Sequence, residues 1–162
     1  MVRATAPRVA RLAAACAVAG VLAACGTATQ PAQPLPLKDH FDKASLIGHT
    51  TVLVFWASWC EYCEANVREI AAIERRTPSA RVRFAGLTLD SERPAAQAFA
   101  DRLNLRFDNW FDGEAEARRD GVTGLTTVLI VDPAGHIAHR YTRLANGDMA
   151  RFDADLKALL AP

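Results

Sequence analysis

The chain has 162 residues, which is enough for one domain with a hydrophobic core and little more. It carries 19 lysines and arginines against 18 aspartates and glutamates, so its formal net charge is only +1. This balance argues against a nucleic-acid-binding surface, and we expect no nucleic-acid partner.

Residues 1–24 have the pattern of a lipoprotein signal peptide. Arginines precede an uncharged apolar segment at residues 12–24, which is too short to span a bilayer comfortably. The segment ends in Leu-Ala-Ala-Cys-Gly at residues 22–26, which resembles a bacterial lipobox. The resemblance implies cleavage before Cys25, a lipid on Cys25 and a periplasm-facing anchor in the cell envelope. Because Gly26 rather than Asp follows the cysteine, the outer membrane is favoured in a Gram-negative bacterium. The alternative is a plain secretory signal with an incidental cysteine.

Residues 25–38 are rich in Pro, Thr, Ala and Gln and show no apolar period. We interpret them as the lipidated Cys25 and a flexible tether, which leaves residues 39–162 as the folded domain. Of the four cysteines, Cys16 would leave with the signal peptide and Cys25 would be blocked by lipid. Cys60 and Cys63 remain as a single pair, free for chemistry rather than for a disulfide framework.

Strands and helices alternate along the predicted domain. The continuous apolar run at residues 50–57 predicts a central strand that is buried on both faces. The patterns that follow predict a helix from Cys60 to about Arg76, a strand at 81–89, a helix to about Leu103, an extended aromatic loop at 105–112, a short helix at 114–120, hairpin strands at 126–131 and 136–141, and an amphipathic helix at 148–160. This order predicts an α/β fold whose central mixed β-sheet has helices on both faces.

The motif Cys60-Glu61-Tyr62-Cys63 lies where the central strand meets the first helix. Free N–H groups and the positive end of the helix dipole favour a thiolate at Cys60 there, and Cys63 follows one turn later on the same face. A first sulfur that attacks and a second that resolves are the minimum equipment for dithiol–disulfide exchange. Trp59 and Tyr62 are expected to flank the sulfur as an apolar platform for a partner.

Four features together resemble the thioredoxin fold, and more narrowly the membrane-anchored TlpA/ResA-like thiol–disulfide oxidoreductases. They are the sequence FWASWCEYC at 55–63, the Gly-x-x-Gly-x-Thr-Thr strand at 121–127, the Asp-x-x-Gly turn at 132–135 and the closing helix. The resemblance covers residues 39–162. It implies an extracytoplasmic enzyme that exchanges disulfides with protein partners, draws electrons from a membrane or periplasmic donor and needs no cofactor beyond the Cys60–Cys63 disulfide.

The chain departs from this family at the late loop. Thr126 stands where the family usually has a proline in a cis peptide, so we expect either a trans bond or a cis bond held by tertiary contacts. The backbone of Leu125, which the family would pair with substrate, is then presented differently. The Thr126 hydroxyl or N–H is a candidate hydrogen-bond donor to the Cys60 sulfur.

The family's buried carboxylates are also missing, because Val54 and Asn66 occupy their positions. The charge of Glu61 opposes a thiolate at Cys60, which makes a poorer leaving thiol and points to a reductase, whereas Arg68 acts in the opposite direction.

Two other functions stay open. Two thiolates at this spacing can hold Cu(I), as in a metallochaperone, and the lost carboxylates are compatible with an interaction module of vestigial redox activity. A structural zinc site would need two further ligands, and we expect no metal. The candidate zinc ligands are His40, His49, His136 and His139.

Overall fold

A five-stranded mixed β-sheet organises the domain. The structure is a computed structural model that describes residues 35–78, 80–145 and 148–161. The predicted signal peptide, the predicted lipid site at Cys25 and the tether up to residue 34 lie outside the described residues.

The elements follow the alternation that the sequence predicts, with one additional strand. Their bounds are β1 at Thr50–Trp56, α1 at Cys63–Arg76, β2 at Val82–Thr88, α2 at Arg93–Arg102, β3 at Asp108–Trp110, α3 at Glu114–Arg119, β4 at Thr127–Val131, β5 at Ile137–Tyr141 and α4 at Asp148–Leu160, preceded by a short 3₁₀ helix at Lys43–Leu46. The last helix has the predicted bounds, and the other elements agree to within one or two residues except at the start of α1.

The strands are arranged in the order β3-β2-β1-β4-β5, with β1 at the centre. β1 and β3 both run parallel to β2, whereas β4 runs antiparallel to β1 and β5 antiparallel to β4. The mixed sheet predicted from the element order is therefore confirmed.

β1 is buried along its whole length, as its continuous apolar run predicts. Alternate side chains of a strand point to opposite faces of a sheet, so this one strand contributes to two cores. Val52, Val54 and Trp56 belong to the larger core, which also includes buried residues of α1, α2 and α4. Leu53 and Phe55 belong to the smaller core, which includes Ala117 of α3. Helices therefore cover both faces of the sheet, as predicted.

The carboxyl end of β1 is fixed by the indole of Trp56. Its ring stacks on Phe99 of α2 with the centroids 4.9 Å apart, and its Nε1 donates a hydrogen bond of 3.1 Å to Asn109 Oδ1. A buried indole needs such an acceptor. The residue that leads into the Cys-x-x-Cys turn is therefore held by both packing and a polar contact.

Two sequence-based boundaries differ from the structure. The segment predicted as an extended loop contains β3, because the backbone at 108–110 pairs with Ala85–Leu87 of β2. The predicted tether ends too late: Leu37 is buried and the backbone of Lys38 bonds to Asn109 and Phe111. A chain that pairs with the edge of a sheet belongs to the folded domain.

Within the described residues, none of the helices combines the length and the apolar composition that a membrane crossing requires.

We predict that the stacking of Phe99 on Trp56 is a major stabilising contact. Phe99→Ala should lower the free energy of unfolding by about 3–5 kcal/mol, because it leaves a cavity at a fully buried ring. Urea unfolding of the oxidised protein measures this change. Leu159→Ala is the matched control. Because Leu159 is 40% exposed, its truncation should lower the free energy of unfolding by well under half as much. Equal losses in the two variants would contradict the assignment.

Candidate active site

Cys60 and Cys63 form a disulfide at the carboxyl end of β1, with their Cα atoms 5.3 Å apart. The two sulfurs have different surroundings: Cys60 is half-buried, whereas Cys63 is 0% exposed and belongs to the larger core. An incoming sulfur can therefore reach Cys60 more easily than Cys63. This asymmetry is the arrangement that the predicted division into attacking and resolving cysteines requires.

The helix begins later than predicted, at Cys63 instead of Cys60. Cys60 lies in the preceding turn, where its N–H donates to Ala57 O at 3.3 Å and its carbonyl accepts from Cys63 N at 3.1 Å. The first cysteine is thus presented ahead of the helix, and the second is its first residue.

A buried carboxylate that sequence analysis did not single out holds this turn. Asp90 accepts a hydrogen bond of 2.9 Å from the backbone N–H of Ser58 and further bonds from the hydroxyls of Ser58 and Thr88. Three donors on one buried carboxylate satisfy its charge and fix the chain two residues before Cys60. The sequence held a signal for this cluster, because β1 and β2 are parallel and the residues after their ends must meet at one edge.

Thr126 lies against the resolving cysteine. Its Oγ1 is 3.3 Å from Cys63 Sγ, and the residue is fully buried. The acceptor expected from the sequence was Cys60, but the hydroxyl reaches Cys63, because Cys60 lies in the turn and is only partly buried. The Leu125–Thr126 peptide bond is cis, which is one of the two alternatives left open.

Asn66 completes this contact from α1. Its Nδ2 donates to Thr126 Oγ1 at 3.1 Å and to Leu144 O at 3.2 Å, while Leu144 N donates to Thr126 O at 3.1 Å. From the sequence, Asn66 is only the loss of a carboxylate. Since Asn66 and Thr126 are 60 residues apart, no spacing rule could have paired them.

A groove of about 790 Å³ runs beside the disulfide. Tyr62 and Leu125 both line it, so the structure brings these two predicted supporting residues to one groove. Trp59 and Tyr62 are 67% and 68% exposed, which is unusual for aromatic side chains of this size. The groove is lined by Tyr62, Ala65, Asn66, Glu69, Leu125, Arg143, Leu144, Ala145 and Met149.

The positive charge of Arg68, which follows the motif, is paired with a carboxylate. Glu61 is exposed to solvent, whereas Arg68 pairs with Glu64 at 2.9 Å. The hydrogen bonds from Arg102 and then Arg68 hold the pKa of Glu64 below its usual value. Arg68 is therefore already engaged and offers less positive charge to the cysteines than the sequence suggests. In the part of the chain that the structure describes, no group of three or more His, Cys, Asp and Glu side chains is placed to hold a metal ion.

A mixed sheet whose central strand leads into a Cys-x-x-Cys disulfide and then a helix defines a thioredoxin-like fold. Solved structures agree: a Chlorobium tepidum protein superposes with a TM-score of 0.68 at 22% identity over 73% of this chain and 84% of that one. A secreted Mycobacterium tuberculosis disulfide oxidoreductase homologous to E. coli DsbE superposes with a TM-score of 0.62 at 26% identity, over 74% of this chain and 88% of that one.

The sequence profile of the Redoxin family matches residues 28–156, and the chain belongs to that family. Among curated proteins, it is 35% identical over 74 residues to the soluble secreted antigen MPT53 of Mycobacterium tuberculosis, covering 46% of this chain and 42% of that protein. It is 33% identical over 97 residues to the thiol:disulfide interchange protein DsbE of Allochromatium vinosum, covering 59% and 52%. The chain thus spans about half the length of these curated relatives.

We predict that Asp90 stabilises the turn before Cys60. Asp90→Asn should lower the free energy of unfolding by about 1.5–3 kcal/mol, because an amide nitrogen then faces hydrogen-bond donors in a buried site. Urea unfolding of the oxidised protein measures the loss. Glu92→Gln, the same change at an exposed carboxylate that caps no helix N–H, is the matched control and should be near neutral. An Asp90→Asn protein as stable as the control would contradict this role.

Proposed function

We propose that this protein is a thiol–disulfide oxidoreductase that exchanges disulfides with protein partners. The observation that carries the proposal is the unequal burial of the two bonded sulfurs, because Cys60 is half-buried and Cys63 is fully buried. Membership of the Redoxin family and the likeness to disulfide oxidoreductases support it. The catalytic residues in this proposal are Cys60 and Cys63.

The reaction needs no group beyond the two cysteines and the partner. In the reducing direction, the Cys60 thiolate attacks one sulfur of a partner disulfide, and the other partner sulfur leaves as a thiolate. The Cys63 thiolate then attacks the Cys60 sulfur of this mixed disulfide, and the second partner sulfur leaves. The partner gains two electrons and takes up the two protons that the cysteine thiols lose, and the Cys60–Cys63 pair becomes the disulfide of this structure.

We propose that the partner binds at the groove beside the disulfide. Trp59 and Tyr62 offer exposed aromatic surface, and Tyr62 and Leu125 both line the groove. Aromatic side chains are enriched at protein interfaces, where they bury a large area at small entropic cost. By analogy with the family, candidate partners are apocytochrome c and other substrates of metal-centre assembly. Secreted proteins whose thiols must be kept reduced fit equally well.

The proposed direction is reduction of the partner. The exposed Glu61 carboxylate disfavours negative charge on its neighbour Cys60, which makes this cysteine a poorer leaving thiol and the disulfide harder to reduce. Arg68 would favour a thiolate at Cys60, but its positive charge is paired with Glu64. A dithiol donor in the membrane or the periplasm would then restore the reduced pair.

We propose an extracytoplasmic location with a lipid anchor. The signal-peptide pattern at residues 1–24 and the lipobox-like sequence around Cys25 support it, and both MPT53 and the similar Mycobacterium tuberculosis disulfide oxidoreductase are secreted proteins. The protein would then work at the periplasmic face of the cell envelope, on the outer membrane in a Gram-negative host.

The reduction potential of the Cys60–Cys63 pair tests the function directly. Titration of the domain from Leu35 onward against dithiothreitol, with alkylation and mass spectrometry, should show one two-electron transition near −270 mV, the value of thioredoxin. Cys60→Ser should abolish the transition. Glu61→Gln should keep the transition but shift its midpoint potential to a less negative value.

Three other outcomes would change the conclusion. A transition near −120 mV, the value of a strong oxidant, would reverse the proposed direction but keep the enzyme. A protein without any reversible transition that binds Cu(I) through both thiolates would instead be a metal-binding protein. A reversible transition without turnover of a protein disulfide would leave only an interaction module.

The lipid anchor has its own test. Full-length protein in a bacterial host should appear in the membrane fraction with a mass increase on an N-terminal Cys25, and Cys25→Ala should release it into the soluble extracytoplasmic fraction. Cys16→Ala is the matched control and should not change the distribution, because Cys16 lies within the predicted signal peptide. A wild-type chain that is cleaved but not acylated would show a plain secretory signal.

A further inference from the structure

Asn66 fixes the direction of the hydrogen bond between Thr126 and Cys63. The carbonyl of Leu144 can only accept, so the Asn66 atom that faces it at 3.2 Å must be the amide nitrogen. The same nitrogen is 3.1 Å from Thr126 Oγ1, and the hydroxyl oxygen therefore accepts a bond there. This leaves the hydroxyl hydrogen free to point at the Cys63 sulfur, 3.3 Å away.

From this arrangement we infer that Asn66 and Thr126 form a hydrogen-bond relay that stabilises negative charge on the Cys63 sulfur during disulfide exchange. Thr126 is the group that touches the reacting sulfur, and Asn66 is a positioning residue that acts through it. The inference rests on the proposed function and adds residues to its mechanism.

Charge appears on Cys63 in both directions of the reaction. When an external thiolate attacks Cys60, the Cys60–Cys63 bond breaks and its electron pair moves to the Cys63 sulfur, which leaves as a thiolate. In the reverse step the Cys63 thiolate attacks the Cys60 sulfur of the mixed disulfide. Cys63 is 0% exposed, so water does not hydrate this charge, and a thiolate without a donor is disfavoured.

The relay supplies that donor without adding a charge. Thr126 is held by its backbone bond from Leu144 and by the Asn66 amide, so its hydroxyl need not reorient when the sulfur becomes negative. A preoriented donor in a buried site is worth more than one in water, since nothing must be reorganised during the reaction. Because charge passes through Cys63 in both directions, the relay should accelerate both and leave the equilibrium nearly unchanged.

The test measures the rate at which dithiothreitol reduces the Cys60–Cys63 disulfide, and the reverse oxidation rate, by quenched alkylation and mass spectrometry. Thr126→Val should slow both steps roughly tenfold, while the equilibrium constant moves less than about threefold. Thr126→Ser keeps the hydroxyl and should recover most of the rate. Asn66→Ala should slow both steps by a smaller factor, because the hydroxyl loses its fixed direction.

A double-mutant cycle separates the relay from a packing effect. If Asn66 acts through Thr126, adding Asn66→Ala to Thr126→Val should cause no further loss of rate, whereas independent structural effects would multiply. Thr127→Val is the matched control: it removes a hydroxyl from the next residue, which bonds Gly124 O at 2.6 Å and is not bonded to either sulfur. Its rates should stay within about twofold of the wild type.

Wild-type rates in Thr126→Val, multiplicative losses in the double variant, or an equal loss in Thr127→Val would each overturn the relay. None of these outcomes affects the proposed function, which depends on whether the wild-type pair is reversibly reduced at all. Thermal unfolding of each oxidised variant excludes a general loss of structure as the cause of a slow rate.

Discussion

The burial of β1 on both faces is the constraint on which the rest of the structure depends. Because every side chain of Thr50–Trp56 is inside, the strand cannot shift its register without moving an apolar set into the wrong core. Its final residue, Trp56, is anchored by the stack on Phe99 and the bond to Asn109. The cysteine motif therefore begins from a fixed point, although it lies in a turn at the surface.

That fixed point explains why the two sulfurs differ. The turn after β1 is tied to the end of β2 by Asp90 and holds Cys60 half-buried at the edge of the core, while the next helix starts inside the core at Cys63. Exchange chemistry needs one accessible sulfur for an incoming partner and one protected sulfur that resolves the intermediate. The fold supplies this difference through the unequal burial of the two cysteines.

The sequence predicts the parts of this fold that depend on local patterns. The apolar run gives β1, the helical period gives α1 and α4, and the order of elements gives the mixed sheet. β3 was missed because Asp108-Asn109-Trp110 has no alternating pattern, and it becomes a strand only by pairing with β2. The cysteine pair was found by motif, and the contact of Ser58 with Asp90 was within reach from the parallel strand ends.

The contacts of Thr126 were beyond sequence reasoning, for a physical reason. They join α1, the loop before β4 and the residue Leu144 after β5, and such long-range contacts depend on how the helix lies on the sheet. The sequence records only that a carboxylate and a proline are absent.

The structure shows what replaces the carboxylate and the proline at the buried sulfur: a hydroxyl whose hydrogen is directed by an amide. A carboxylate near Cys63 would repel a thiolate and could exchange a proton with it, whereas a neutral donor stabilises the charge and keeps its own proton. The hydroxyl in place of a carboxylate therefore affects how negative charge on Cys63 is stabilised more than it affects which sulfur reacts.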